Sequence, residues 1–258
     1  MTAVFERIWV WRERRACDVR RGISLGYVPT MGALHEGHMS LVKRSLAEND
    51  RTLVTIFVNP TQFDDPADLD AYPRTLEGDL ALLDAAGVDF VLLPRAEEMY
   101  ADGFHYRVAE TTLSTTLEGV HRPGHFDGVL TVVLKLLHIA AAERAYFGEK
   151  DWQQLSLVRG MADAFFLPTT IVACPTVRET SGLALSSRNA RLTALDRERA
   201  ATLHRVLTSA ATTDEAIHRL TDAGFAVDYV ADRDGRRLAA VRLAGVRLID
   251  NVPFPGAA

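Results

Sequence analysis

The sequence predicts an α/β fold, a doubly wound parallel sheet followed by a small C-terminal α/β cap. Three observations carry this expectation. β-rich apolar runs at 23–28, 52–58, 88–93 and 144–147 alternate with stretches of helical spacing, the pattern of right-handed strand–helix–strand crossovers. A glycine-bearing turn, Pro29 to His38, joins the first run to the helical spacing of Met39, Val42 and Leu46. Beyond residue 176 the order changes, with helical segments first and three strands closing the chain. The expected division is 1–176 for a Rossmann-like domain and 177–258 for the cap.

Composition limits the function classes. The 258 residues are 48% hydrophobic, which supports a sizeable core. A formal charge of -5 excludes general attraction to nucleic acid or an anionic membrane surface. Cys17 and Cys174 frame neither a disulfide nor a metal site, in keeping with a reducing cytoplasm. Glu6, Arg7, Arg12, Arg14 and Arg15 interrupt the first apolar residues as no signal peptide does, and no segment approaches the ~18 apolar residues of a membrane span. A soluble, cytoplasmic protein is expected.

Residues 3–21 read as a helix, its arginines on a solvated face broken by Glu13 and Asp18. After the first strand, the start of the next helix offers unpaired N–H groups and a partial positive charge, and so attracts anions. Gly32 and Gly37 let a ligand approach the main chain. His35 and His38 can point the same way and donate to phosphate oxygens, offsetting charge on a leaving pyrophosphate. The run Thr52–Val58 suits a strand buried on both faces. It ends in Asn59 and Gln62, placed where ligands of open α/β sheets gather. The Gln62 amide both donates and accepts, as a small hydroxy acid requires.

Leu76, Leu80 and Leu83 mark a helix stopped at Gly87. Asp79 on it could face a metal-bearing phosphate, although an exposed helix carboxylate is the commoner case. Glu118, Arg122 and His125 surround a Pro123-Gly124 turn, either as a salt-bridged loop or as part of a site. The helix 128–142 is mainly core. Arg144–Phe147 opens into Gly148-Glu149-Lys150-Asp151, where Lys150 supplies a movable charge for phosphates and Asp151 can bond ribose or cap the next helix. That helix is expected to turn Leu155, Val158, Ala162 and Phe165 inward, with Gln154 the partner of Gln62 in holding the small acid. The strand 169–175 leads through Val177 to Leu185-Ser186-Ser187-Arg188-Asn189, whose hydroxyls and guanidinium fork suit anionic oxygens. A plain N-cap turn would account for one hydroxyl only. Then follow a helix over 193–211, capped by Thr193 and packed through Leu195, Leu203, Val206 and Leu207, a second helix over 214–223, and strands at 225–231, 238–243 and 246–249.

The run Pro29-Thr30-Met31-Gly32-Ala33-Leu34-His35-Glu36-Gly37-His38 resembles the nucleotide signature of the pantothenate synthetases, a family of the H-x-G-H nucleotidylyltransferase superfamily. Phe57–Phe63, Ala71–Thr75, Leu117–Gly119, Arg122–Phe126, Phe147–Asp151, Gly182–Asn189 and Leu248–Asn251 agree in order. The resemblance implies ATP-dependent condensation of (R)-pantoate with β-alanine through a pantoyl adenylate, by a homodimer. It implies ATP contacts along Met31–His38, Gly148–Asp151, Val177 and Leu185–Arg188, with pantoate on Gln62 and Gln154. His38, His35, Lys150, Ser186, Ser187 and Arg188 would act on the phosphates. Gly78, Leu82 and Ser181 stand where the family often has an acid, a glutamine and an acid, and the C-terminal part is shorter than the family usually has. No protein-held metal is therefore assigned, and Mg2+ would arrive with the nucleotide. The rival readings are a related ligase joining another hydroxy acid and amine, a transferase of AMP onto a phosphorylated acceptor, and a nucleotide-binding protein without turnover.

Overall fold

In the computed structural model, which describes residues 1–63 and 66–254, the chain divides into two compact units. Met1–Gly148 with Gln153–Cys174 forms the first, and Glu149–Trp152 with the chain from Pro175 onward forms the second. Positions 255–258 of the expected cap lie outside the described residues.

The first unit runs β1 (Ala3–Phe5), α1 (Ile8–Arg20), β2 (Leu25–Thr30), α2 (Glu36–Glu48), β3 (Arg51–Ile56), α3 (Pro66–Asp70), α4 (Leu76–Ala85), β4 (Phe90–Leu92), α5 (Ala96–Met99), α6 (Glu118–His121), α7 (His125–Ala140), β5 (Arg144–Gly148), α8 (Trp152–Ala164) and β6 (Thr170–Cys174). Among the described residues its six strands form one parallel sheet in the order β1-β4-β3-β2-β5-β6. From β2 the chain winds outward through β3 and β4, then returns to place β5 on the other side. The topological switch point, where ligands of such sheets bind, thus lies between β2 and β5. Burial of Leu25, Tyr27, Val28, Leu53, Val54 and Tyr146 explains why these strands are apolar on both faces.

Residues 3–21 are not one helix. Ala3, Val4 and Phe5 pair in parallel with Phe90, Val91 and Leu92, and three residues are too few to display a period of two. Trp11 is fully buried, edge-on to Phe5 and Phe90, with its indole N–H on the Ile139 carbonyl at 2.8 Å. The solvated-face reading fails at Arg15, which is 2% exposed and donates from Nη2 to both Glu143 carboxylate oxygens, at 2.7 and 2.9 Å. Phe165, expected inward, is 54% exposed.

The second unit contains α9 (Ala194–Ala200), α10 (Thr202–Ser209), α11 (Thr213–Asp222), β7 (Ala226–Arg233), β8 (Arg236–Leu243) and β9 (Val246–Pro253). These three strands form an antiparallel sheet in chain order. Asp234-Gly235 and Ala244-Gly245 make its hairpin turns, all four with positive φ, as type I′ turns require. The expected helix over 193–211 is two helices, parted at Ala201. Thr193 caps the first through the Asp196 N–H at 3.1 Å. Leu203, Val206 and Leu207 enter the core with Leu220, Phe225 and Leu248, whereas Leu195 is 67% exposed.

Candidate active site

The turn after β2 is held from two sides. Gly32 N–H donates to the Thr30 hydroxyl at 3.2 Å, and that hydroxyl donates to the Thr55 carbonyl at 2.8 Å. Gly32 and Ala33 have φ of 82° and 50°. A Cβ on Gly32 would lie 3.0 Å from a carboxylate oxygen of Asp79 and 3.1 Å from Ile56, so both the backbone and the space favour glycine. Asp79 is not an exposed helix carboxylate. It is 2% exposed and accepts the N–H groups of Ala33 at 2.9 Å and Leu34 at 2.8 Å, and the Thr75 hydroxyl at 3.2 Å.

His35 is the N-cap of α2, with Glu36, Gly37 and His38 in the first turn. Its Nδ1 accepts the Gly37 N–H at 3.1 Å, while the His35 N–H donates to Nδ1 of His38 at 3.3 Å. A backbone N–H can only donate, so both Nδ1 atoms are acceptors and each neutral ring carries its proton on Nε2. The rings lie 4.1 Å apart, centroid to centroid. Two imidazole N–H donors thus stand together at the positive end of a helix, an arrangement suited to an anion.

A second group of residues holds Gln62, at the end of a 3-10 turn over Pro60–Gln62. Its Nε2 meets the Met31 sulfur at 3.0 Å, and its Oε1 accepts from the Asn59 amide at 3.0 Å. The Gln62 carbonyl accepts from Arg122 at 3.2 Å and from His125 Nδ1 at 2.7 Å. His125 Nε2, 3.1 Å from the Arg122 guanidinium, must then be an acceptor, which agrees with a proton on Nδ1. Asn59, read as substrate-facing, is 1% exposed and serves this scaffold instead, also accepting the Thr61 hydroxyl at 3.0 Å. Gly128, in the first turns of α7, admits the same backbone, since a Cβ there would lie 2.1 Å from the Thr61 carbonyl oxygen.

Gln154 is half-buried on the first turn of α8. Sequence reasoning missed its neighbour Gln153, which is 4% exposed. Gln153 accepts the Glu118 N–H at 3.0 Å and donates to the carbonyls of Leu113 and Thr116, both at 2.8 Å. Its spacing with buried Leu157 and Met161, four residues apart along one helix face, was the available signal.

In the second unit, Glu149–Asp151 form a 3-10 turn directly after Gly148 ends β5. Lys150 Nζ lies 3.4 Å from Asp151, and Glu149 pairs with Arg236 at 2.6 Å. Leu185 N–H donates to the Val177 carbonyl at 3.0 Å, closing the bend that precedes Ser186. Ser186 caps the 3-10 turn Ser187–Arg191 by accepting the Arg188 N–H at 3.3 Å. Asn189, 3% exposed, donates to the Ala184 carbonyl at 3.0 Å and to Glu179 at 3.2 Å. Capping thus uses the Ser186 oxygen as an acceptor, and the same turn carries Ser187 and Arg188.

Comparison with known proteins shows the family and the fold. The profile of the Pantoate-beta-alanine ligase family matches residues 3–253. The chain is 50% identical over 242 residues to a pantothenate synthetase of Bdellovibrio bacteriovorus, covering 94% of each, and 47% identical over 254 residues to one of Coxiella burnetii, covering 98% of each. It is similar to the crystal structure of a pantoate-beta-alanine ligase from Francisella tularensis, complexed with beta-gamma ATP and beta-alanine, with TM-score 0.93, 39% identity and 98% of each chain covered. A pantothenate synthetase structure from Thermus thermophilus gives 0.88 at 40% identity, over 99% of this chain and 100% of that one. A second unit of this length is therefore shared with these relatives.

Proposed function

The chain belongs to the pantoate–β-alanine ligase family, and from that premise we propose the chemistry its residues perform: ATP-dependent condensation of (R)-pantoate with β-alanine to pantothenate. The pantoate carboxylate attacks the α-phosphorus of ATP and expels pyrophosphate, which forms pantoyl adenylate. The β-alanine amine then attacks the acyl carbon, loses a proton and expels AMP. A free carboxylate is a poor acyl donor, and adenylation supplies the leaving group. No covalent bond to the enzyme is needed, so catalysis rests on alignment and charge stabilisation.

The observation that carries this reading is the His35–His38 pair at the start of α2, each ring accepting a backbone N–H on Nδ1, on a turn locked by Asp79. We assign His38 and His35 to the phosphates, with His38 the proton-donor candidate, and the main chain of Met31–His38 to the nucleotide. Lys150, Ser186, Ser187 and Arg188 balance the charge of the departing pyrophosphate. Gly148, Glu149, Asp151, Val177 and Leu185 complete the nucleotide contacts, Asp151 toward the ribose. Gln62 and Gln154 orient pantoate. The ATP and β-alanine in the Francisella tularensis complex support these two as ligands here.

Mg2+ enters as the counter-ion of the ATP phosphates. The carboxylate beside the turn, Asp79, already accepts two N–H groups and a hydroxyl, so no protein ligand is assigned to the metal. Homodimeric assembly and a cytoplasmic location belong to the same proposal. Among the described residues no helix is long and apolar enough to cross a membrane.

Pantoate-dependent exchange of labelled pyrophosphate into ATP, with magnesium and no amine, tests the first step. Mass detection of pantothenate after β-alanine is added tests the second. Exchange without that product would point to another amine, and ATP binding without exchange would overturn the assignment.

A further inference from the structure

The terminal strand β9 carries a dipeptide that the chemistry above does not use, Asp250-Asn251, with its residues 4% and 2% exposed. Its two side chains reach the two segments of the second unit assigned to phosphate. Asp250 takes the Arg178 guanidinium on both oxygens, at 2.7 and 2.9 Å. Arg178 continues to the carbonyls of Gly182 at 3.1 Å and Asn251 at 3.2 Å, and its backbone bridges to Ala184. One guanidinium thereby holds both limbs of the bend that delivers Leu185, Ser186, Ser187 and Arg188.

Asn251 acts on the other segment. Its Nδ2 donates to the carbonyls of Glu149 and Lys150, each at 2.9 Å, and its Oδ1 accepts from Arg236 at 2.8 Å. Carbonyls only accept and a guanidinium only donates, so the amide has a single permitted orientation. Arg236 completes the arrangement, pairing with Glu149 at 2.6 Å and lying 4.1 Å over the Trp152 ring.

The strand does not need these side chains to pair. Asp250 lies opposite Ala239 and Asn251 opposite Leu238 in the β8–β9 ladder, which backbone bonds hold. Burying a carboxylate and an amide within a strand is costly unless their bonds are made, and here those bonds run to the Lys150 turn and to the bend before Ser186.

Resting on the assignment of Lys150 and Ser186–Arg188 to the ATP phosphates, we infer that Asp250-Asn251 is a positioning element that keeps these two segments in register during adenylation. Neighbouring residues on one paired strand cannot shift independently, so the separation of the two segments is set by a single peptide unit. A catalytic group displaced by about 1 Å can cost up to ~100-fold in rate, and supports of this kind prevent it.

Asn251→Asp is the direct test, because it keeps the shape and the Arg236 contact but turns an acceptor toward two carbonyl oxygens. The expected result is a fall of at least ~10-fold in kcat for pantoate-dependent pyrophosphate exchange, with the pantoate KM unchanged. Arg236→Lys keeps the charge beside Glu149 and loses the fork, and should lower kcat ~3-fold or more at an unchanged melting temperature. If Asn251→Asp fails to fold, Arg236→Lys decides by the same criteria. Full exchange in the folded variants, a loss that only follows thermal stability, or a pantoate KM that rises with the loss would each overturn the inference. No exchange in the unaltered chain would overturn the ligase reading, and this inference with it.

Discussion

The Asp79 carboxylate and the Leu34 N–H, 45 positions apart in sequence, meet at 2.8 Å. The turn before α2 is thus held by α4, a helix from later in the chain. Asp79→Ala would strip the acceptor from Leu34 and Ala33 together. We expect a loss of about 2–4 kcal/mol in urea unfolding and a fall in exchange of at least ~10-fold. Asp79→Asn should fall between, since its amide retains one acceptor. Native stability together with full exchange in Asp79→Ala would show that the turn holds its shape unaided.

The roles given to His38 and Lys150 predict that activity and stability separate. Each change to alanine should lower pantoate-dependent exchange ~100-fold or more. His38→Ala also removes the acceptor of the His35 N–H, a cap-like bond worth about 1 kcal/mol. Lys150 touches Asp151 at 3.4 Å and is 20% exposed, so its loss should alter unfolding by no more than about 1 kcal/mol. Comparable damage to folding and to exchange would remove the catalytic assignment.

Gly128→Ala should act on pantoate selectively. The added methyl meets the Thr61 carbonyl, and Thr61 precedes Gln62 directly, so the push falls on the residue assigned to pantoate. Overpacking of this kind costs about 1–3 kcal/mol. Saturation curves should show a pantoate KM raised ~5-fold or more, with the ATP KM unchanged. An effect on ATP alone would contradict the role of Gln62.

The second unit carries a histidine whose titration has a definite sign. Burial and the neighbouring Arg178 hold the His204 pKa below its usual 6.5, against the pull of Asp250 at 3.8 Å. As pH falls through about 6.5 the unfolded chain takes up a proton that the folded one refuses, so stability is present above that value and is lost toward the lowered pKa. Denaturant midpoints measured from pH 7.5 to 5 should fall, and His204→Gln should flatten that part of the curve. An unchanged slope in the variant would place the effect elsewhere.

The parts legible in the sequence were those encoded locally. The strands β2 and β3 announce themselves by apolar runs, and the His35–His38 turn by glycines and imidazoles within ten residues. What stayed hidden came from a distance. β1 exists because β4 is beside it, and three residues have no readable period. Arg15 looked like one of several surface arginines because its partner Glu143 lies 128 positions away. The break at Ala201 has neither glycine nor proline to mark it. In the candidate site the motifs themselves were readable, whereas their supports, Asp79, Asn59 and Gln153, were misread or missed. A buried polar residue that bonds backbone looks, in sequence, like any exposed one.

The position of β2 in the sheet has a consequence for how the chain is made. One edge of β2 pairs with β3, the next strand to be translated, but the Glu143 carboxylate that takes the Leu25 N–H on the other edge arrives 118 positions later. At ordinary synthesis rates of about 5–20 residues per second, that edge stays uncovered for roughly 6–24 s. Throughout that interval the nascent chain carries an apolar, half-paired strand open to wrong partners. Leu25, Tyr27 and Val28 of β2, fully buried in the finished sheet, are therefore the residues a holding chaperone has most reason to shield.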